Sequence, residues 1–445
     1  MTIGSDPWGE RLPRRLGLWS LVAVLVGTSI GSGIFRVPAT VAATLDGPGP
    51  VLAAWLLGGL VALAGALTYA ELAALFPRSG GIFAFLLEGF GPLPAFLFGW
   101  SELAVLRASA LGGIATIFAE YLGYFLHYDA ATVRRVAALA IVGIGLLNYL
   151  GIRAAAGLMN PLTALKYGAL AALALLGFTA GAGGGSVHPL WAGGLPLSLM
   201  ASALVPIMWT YDGWADASFL SGEAKEPQRT LPRALILGTG AIVAVYLLVN
   251  LAYLYLLPLP EMARSGLVAA RAAERIPLLG AWGAAAASGV VMVSCLGALN
   301  GSMMTGPRIF FAMADRGLFF RGIARVSPRF ASPSVAIWLS TGLGVVYVLL
   351  HDFRQLADKF ILGIWPFYAL AVAAVFVLRR RRPELPRPYR TWGYPVVPAL
   401  FLVASVGMVA NALITDPVNT GITFAIILVG VPVYGLWRRG VNSKR

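Results

Sequence analysis

Little in this 445-residue chain can support covalent or metal chemistry. It has one cysteine, Cys295, and three histidines, His127, His188 and His351. A lone cysteine forms no intrachain disulfide. The histidines have no metal-ligand spacing, so the sequence points to no metal and no other cofactor. Walker and His-Glu-x-x-His sequences are both missing. Charge is scarce as well. Only 12% of residues are charged, against about 25% in soluble domains. No soluble domain is expected.

What is present is apolar length. Hydrophobic residues make up 58% of the chain, and mean hydropathy is +0.79. A stretch of about 20 apolar residues crosses a bilayer as a helix. Twelve such stretches can be marked: 16–40, 50–76, 94–124, 132–152, 158–181, 196–219, 233–257, 279–312, 334–350, 356–379, 394–415 and 419–437. The expected class is an all-α membrane protein embedded in the lipid bilayer. The basic run Arg11, Arg14 and Arg15 before the first stretch is read as preceding an uncleaved helix.

The net charge of +14 raises nucleic acid as a partner, and the placement of the charge argues against it. Most of the 33 Lys and Arg residues lie at the termini or in loops that follow even-numbered stretches. That is the positive-inside pattern with both termini cytoplasmic. The run Arg379-Arg380-Arg381-Arg382 reads as a topology anchor beside acidic headgroups. The hydrophilic stretches 313–333 and 379–393 suit cytoplasmic connectors.

Two of the apolar stretches are interrupted. Residues 27–35 read Gly-Thr-Ser-Ile-Gly-Ser-Gly-Ile-Phe, and glycines around Ser32 favour local unwinding. Trp209-Thr210-Tyr211-Asp212-Gly213-Trp214 interrupts the sixth stretch. Unwound backbone at membrane depth is tolerated where it lines a cavity or meets a ligand. Breaks in the first and sixth spans place the two halves in opposite senses, a plan in which substrate sits between the breaks. Tight helix packing is the competing use of these glycines.

A small zwitterion, carrying a carboxylate and an ammonium group, would fit such a site. Its carboxylate needs free N–H groups at a half-helix start, which Gly31, Ser32 and Gly33 can offer, with the Ser32 hydroxyl beside them. Its ammonium needs free carbonyl oxygens, for which Ser29, Ile30, Trp209, Thr210 and Asp212 are candidates. Gly213, in the same break, completes the candidate substrate-binding residues. Lys166 lies mid-span, where a charge is costly and functional by default. Arg107 and Glu102 share the third span, but their i,i+5 spacing does not favour a same-helix pair, so each is expected to meet another helix or water. Asn300 is expected to bond unwound backbone or a neighbouring helix. Ala108, Ser109 and Gly112 leave room for an apolar pocket.

Several motifs together resemble the amino acid–polyamine–organocation superfamily, and within it the bacterial relatives of the L-type amino acid exchangers. They are residues 27–35, then Tyr211-Asp212-Gly213-Trp214 with Gly222-Glu223 and Pro227-Gln228-Arg229. Further motifs are Ser294-Cys295, Asn300-Gly301-Ser302, Arg308 with Arg316-Gly317, Arg382-Pro383-Glu384-Leu385, and Pro388 to Pro395. The resemblance implies a LeuT-type fold of two five-helix inverted repeats, 16–181 and 196–379. Two accessory helices would occupy 394–437, between tails at 1–15 and 438–445. It implies a sodium-independent exchanger of neutral L-amino acids in the bacterial cytoplasmic membrane. Proton-coupled uptake is the alternative, and polyamine or cationic amino acid transport is more remote. It implies a gating aromatic at Trp209 and, at Lys166, a fixed cation where sodium-coupled relatives hold an ion. Lys166 is alternatively a proton carrier or a counter-charge to carbonyls of the first and eighth helices. An acidic residue at 212 raises recognition of a cationic side chain. The loop at about 124–132 has no cysteine, so no disulfide-linked heavy subunit is expected. An enzyme is not expected, since Ser29 or Ser32 with Lys166 is the only formal dyad.

Overall fold

The computed structural model describes residues 14, 16–78, 80–185, 191, 197–315, 317–330 and 332–442. Most of the two terminal tails and Arg316 lie outside these. The described chain is mostly helical, and each of the twelve apolar stretches is helical over most of its described residues. Among the described residues, eight helices are long and apolar enough to cross a membrane, and the bent pair at the first stretch makes a ninth if counted as one span. Segments Ala164–Ala180 and Ser334–Leu350 are shorter apolar helices.

Ten helices form the site or pack on it. They are α1 (Leu18–Ser29), α2 (Gly33–Thr44), α3 (Pro48–Leu75), α4 (Arg107–Leu126), α5 (Ile152–Ala180), α6 (Leu197–Tyr211), α7 (Pro227–Leu256), α8 (Gly283–Asp315), α9 (Phe353–Arg381) and α10 (Val396–Thr415). Local chemistry sets their ends. Proline opens α3 and α7, where its missing N–H costs nothing. A capping box starts α9: Asp352 Oδ1 accepts from the Gln355 amide at 2.8 Å, and the Asp352 amide donates to Gln355 Oε1 at 3.1 Å.

The first stretch breaks at residues 30–32, where α1 and α2 meet at 45°. The second break follows α6, where Gly213 has φ +100°, a conformation that favours glycine. Packing brings the breaks together. α7 lies along α3 and α1, α2 packs on α6, and α4 packs on both α8 and α9.

One expectation about the third stretch fails. Glu102–Leu106 is a π-helical turn inside an otherwise continuous Pro92–Leu126 span, and the Arg107 amide donates to the Glu102 carbonyl. A π turn closes i to i+5. It therefore stacks Glu102 and Arg107 on one face, which a regular α-helix would not do.

Candidate functional site

The two breaks touch reciprocally. A Cβ built on Gly33 would lie 2.6 Å from Thr210 Oγ1 and 2.7 Å from its Cα; one on Gly213 would lie 2.7 Å from Ser29 Oγ. Only glycine permits these approaches. Tyr246 of α7 joins the pair, with its hydroxyl 2.6 Å from the Ser29 carbonyl oxygen and 2.9 Å from that of Thr210. The sequence reading missed Tyr246, since a buried tyrosine in an apolar helix reads as core.

A cavity of about 60 Å³ opens beside this crossing. Ser29, Gly31, Ser32, Gly33, Trp209, Asp212, Gly213 and Arg107 all line it. Ser32 and Gly33 stand at the start of α2, whose first amides have no partner within the helix. The Gly31 amide is engaged inside the break, donating to the Ser29 carbonyl at 2.8 Å. Ser29 Oγ is buried and makes no hydrogen bond among the described residues. Thr210 Oγ1 turns back onto the Pro206 carbonyl at 3.3 Å.

Lys166 is buried behind the first break. Its Nζ donates to the carbonyls of Gly27 at 2.8 Å and Ile30 at 3.0 Å. The ammonium thus sits at the C-terminal end of α1, where the helix dipole favours a cation. Ile30 O also lies 3.3 Å from Ser294 Oγ of α8, which is 3.2 Å from Gly31 O. Ile30 is thereby occupied from behind.

Arg107 and Glu102 form the buried ion pair that the π turn permits, with Nη2 and Nε at 3.0 and 3.2 Å from Glu102 Oε2. Arg107 Nη1 also donates to Ser302 Oγ of α8 at 2.7 Å, so the expected contact with another helix exists as well. Asp212 Oδ1 accepts from the Tyr368 hydroxyl of α9 at 2.6 Å. Tyr368 and Asp216, neither named from the sequence, also line the cavity. Asn300 lies away from it, accepting from Asn148 Nδ2 at 2.9 Å, the neighbouring-helix contact expected. On α4 the cavity wall is Ala110 and Ile114. The space beside Gly112 is filled by Leu356, so no pocket forms there.

Trp209 separates two spaces. Its ring meets Phe353 at 5.9 Å and Phe360 at 5.4 Å, both edge-on, and lies against Gly113. Phe353 and Arg36 line a larger vestibule of about 710 Å³ on the far side. On the opposite side of the cavity, Tyr69, Trp214 and Tyr368 pack ring on ring, at 4.7 Å between Tyr69 and Trp214 and 5.2 Å between Trp214 and Tyr368.

The profile of the amino acid permease family matches residues 16–436. The chain belongs to the amino acid permease family. Among its relatives, the serine/threonine exchanger SteT of Bacillus subtilis (strain 168) is 32% identical over 95% of this chain and 96% of its own length. The human b(0,+)-type amino acid transporter 1 is 31% identical over 93% of this chain and 85% of its own. The human cystine/glutamate transporter is 30% identical over 97% and 87%. This permease is thus a multi-pass membrane transporter of the amino acid–polyamine–organocation superfamily, related to the L-type amino acid transporters, and not an enzyme.

Proposed function

We propose that this permease exchanges neutral L-amino acids without sodium, by alternating access. The observation that carries the reading is the crossing of two broken helices at one cavity. Ser32 and Gly33 line that cavity at the start of α2, where free helix-start amides would stabilise a carboxylate. An ammonium group would be met on the side of the second break, where Trp209 and Asp212 line the cavity, since the Ser29 and Thr210 carbonyls are already engaged by Tyr246. Ala110, Ile114, Phe360 and Ile364 offer an apolar wall to an uncharged side chain. Lys166 already supplies a positive charge to the α1 carbonyls, which makes a sodium ion there unnecessary. A relative named as a serine/threonine exchanger supports both the exchange mode and neutral substrates.

In this reading the chain makes twelve crossings. Residues 16–181 and 196–379 are inverted five-helix repeats, 394–437 adds two helices, and both tails are cytoplasmic. The membrane is the bacterial cytoplasmic membrane, and the chain works without a disulfide-linked partner. Trp209 closes the site from the vestibule side.

The test is uptake of labelled neutral amino acids into sodium-free proteoliposomes at constant pH, with and without unlabelled amino acids inside. Strong dependence on internal amino acid is expected. Accumulation in empty vesicles that rises with an imposed proton gradient would overturn exchange and favour a symporter that uses Lys166 as its proton carrier.

A further inference from the structure

The segment that follows α9 is tied down far more heavily than a connector requires. Glu71, near the end of α3, is 2% exposed. Its carboxylate accepts from Arg379 Nε at 3.0 Å and Nη2 at 2.7 Å, and from the Thr391 amide and hydroxyl at 2.7 and 2.8 Å. Arg387 Nε stands 3.5 Å from the same group. Arg387 also pins its own turn, with Nη1 donating to the carbonyls of Pro383 and Leu385 and Nη2 to those of Leu378 and Arg382. Residues 382–391 therefore form a stiff strap, and one buried carboxylate on another helix holds its far end. Such a carboxylate is poorly suited to plain stability, because apolar packing of the same volume serves a static contact as well.

The strap lies beyond a closed aromatic layer. Two residues before Glu71 on α3, Tyr69 packs on Trp214 and Tyr368, and the Tyr368 hydroxyl reaches Asp212 at the cavity. In and beside that layer the Tyr69 hydroxyl, Nε1 of Trp365, which packs on Tyr368, and Ser218 Oγ, four residues past Trp214, are buried and make no hydrogen bond among the described residues. Unpaired buried polar groups are costly. An opening that let water reach all three would relieve that cost. The vestibule side is built differently. Its ion pair, Arg36 with Glu120 at 3.4 Å, is about a quarter exposed on each side chain.

We propose that Glu71 is the lock of the cytoplasmic exit. While it holds Arg379 and Thr391, the strap keeps α3 and α9 together and the aromatic layer shut; its release lets the exit open. Glu71 is a positioning residue that touches no substrate. The inference rests on the alternating-access reading, since only then must this face open.

Two introduced cysteines, one per variant, test it in the full-length protein, in which native Cys295 is fully buried. Ser218→Cys reports the aromatic layer, and Thr40→Cys, exposed in the vestibule, reports the other side. A membrane-impermeant thiol reagent is applied to each face of membrane vesicles in turn. In Glu71→Gln, labelling at 218 is expected to rise about tenfold while labelling at 40 falls, a population shift of about 1.4 kcal/mol. No change at either site, or a rise at both, overturns the lock; a rise at both marks general loosening. If Glu71→Gln does not fold, Thr391→Val removes one donor and must shift both reporters in the same directions by a smaller factor. The underlying reading has its own control. A saturating neutral amino acid must alter labelling of the two reporters in an otherwise native background. Failure there sinks alternating access itself; success there with no effect of Glu71→Gln sinks only the lock.

Discussion

Gly33→Ala tests how closely the two breaks must approach. The added Cβ would stand 2.7 Å from Thr210 Cα, whereas ordinary contact begins at 3.4 Å, so the breaks must separate by about 0.7 Å (3.4 − 2.7). Backbone cannot rotate aside, and removing the Thr210 side chain leaves that Cα in place. A misplacement of about 1 Å in a binding geometry can cost on the order of 10²-fold. Helix propensity acts the other way, since alanine favours a helix over glycine by about 1 kcal/mol. The lost rate therefore cannot come from a weaker α2. Gly31→Ala is the contrasting case. Its Cβ would meet the Ala298 Cβ at 2.9 Å, a side-chain atom that Ala298→Gly removes. Proteoliposome exchange rates, normalised to inserted protein, should fall about a hundredfold in Gly33→Ala with no rescue by Thr210→Ala. Gly31→Ala should be largely restored by Ala298→Gly. A Gly33→Ala protein that exchanges within about threefold of native, or that Thr210→Ala restores, would refute the reasoning.

Three further outcomes follow from the same geometry. Lys166→Met removes the donor from the Gly27 and Ile30 carbonyls; sodium-free exchange should fall at least tenfold, and unchanged exchange would remove Lys166 from the mechanism. Glu102→Gln strands the buried Arg107 and should destabilise the protein by about 3–5 kcal/mol. The double variant Glu102→Gln/Arg107→Met should recover much of that loss in detergent melting curves, and strict additivity would deny the pair. Trp209→Ala opens the wall between cavity and vestibule. Labelled substrate preloaded into vesicles should then leak without external amino acid, and tight coupling in this variant would exclude Trp209 as the gate.

Both breaks were legible in the sequence because glycine inside an apolar run is a local signal. Lys166 was legible because a mid-span ammonium must find carbonyls, and the first-helix carbonyls took it. The Glu102–Arg107 pair was not. Spacing arguments assume 3.6 residues per turn, and one π turn inside Pro92–Leu126 changes which residues share a face. Tyr246 and Tyr368 escaped for a different reason. Each works through a hydroxyl directed at a helix distant in sequence, and nothing local separates such a tyrosine from one that fills the core. The pocket expected beside Gly112 failed because Leu356 of α9 occupies the space, a contact that α4 alone cannot reveal.

The most direct measurement is an experimental structure with a transported neutral amino acid bound in the absence of sodium. The carboxylate is predicted within hydrogen-bond distance of the Ser32 and Gly33 amides, with the ammonium toward the second break at Trp209 and Asp212 and Lys166 still on Gly27 and Ile30. Substrate density confined to the vestibule beside Arg36 and Phe353, with the crossing of the breaks unoccupied, would contradict the account.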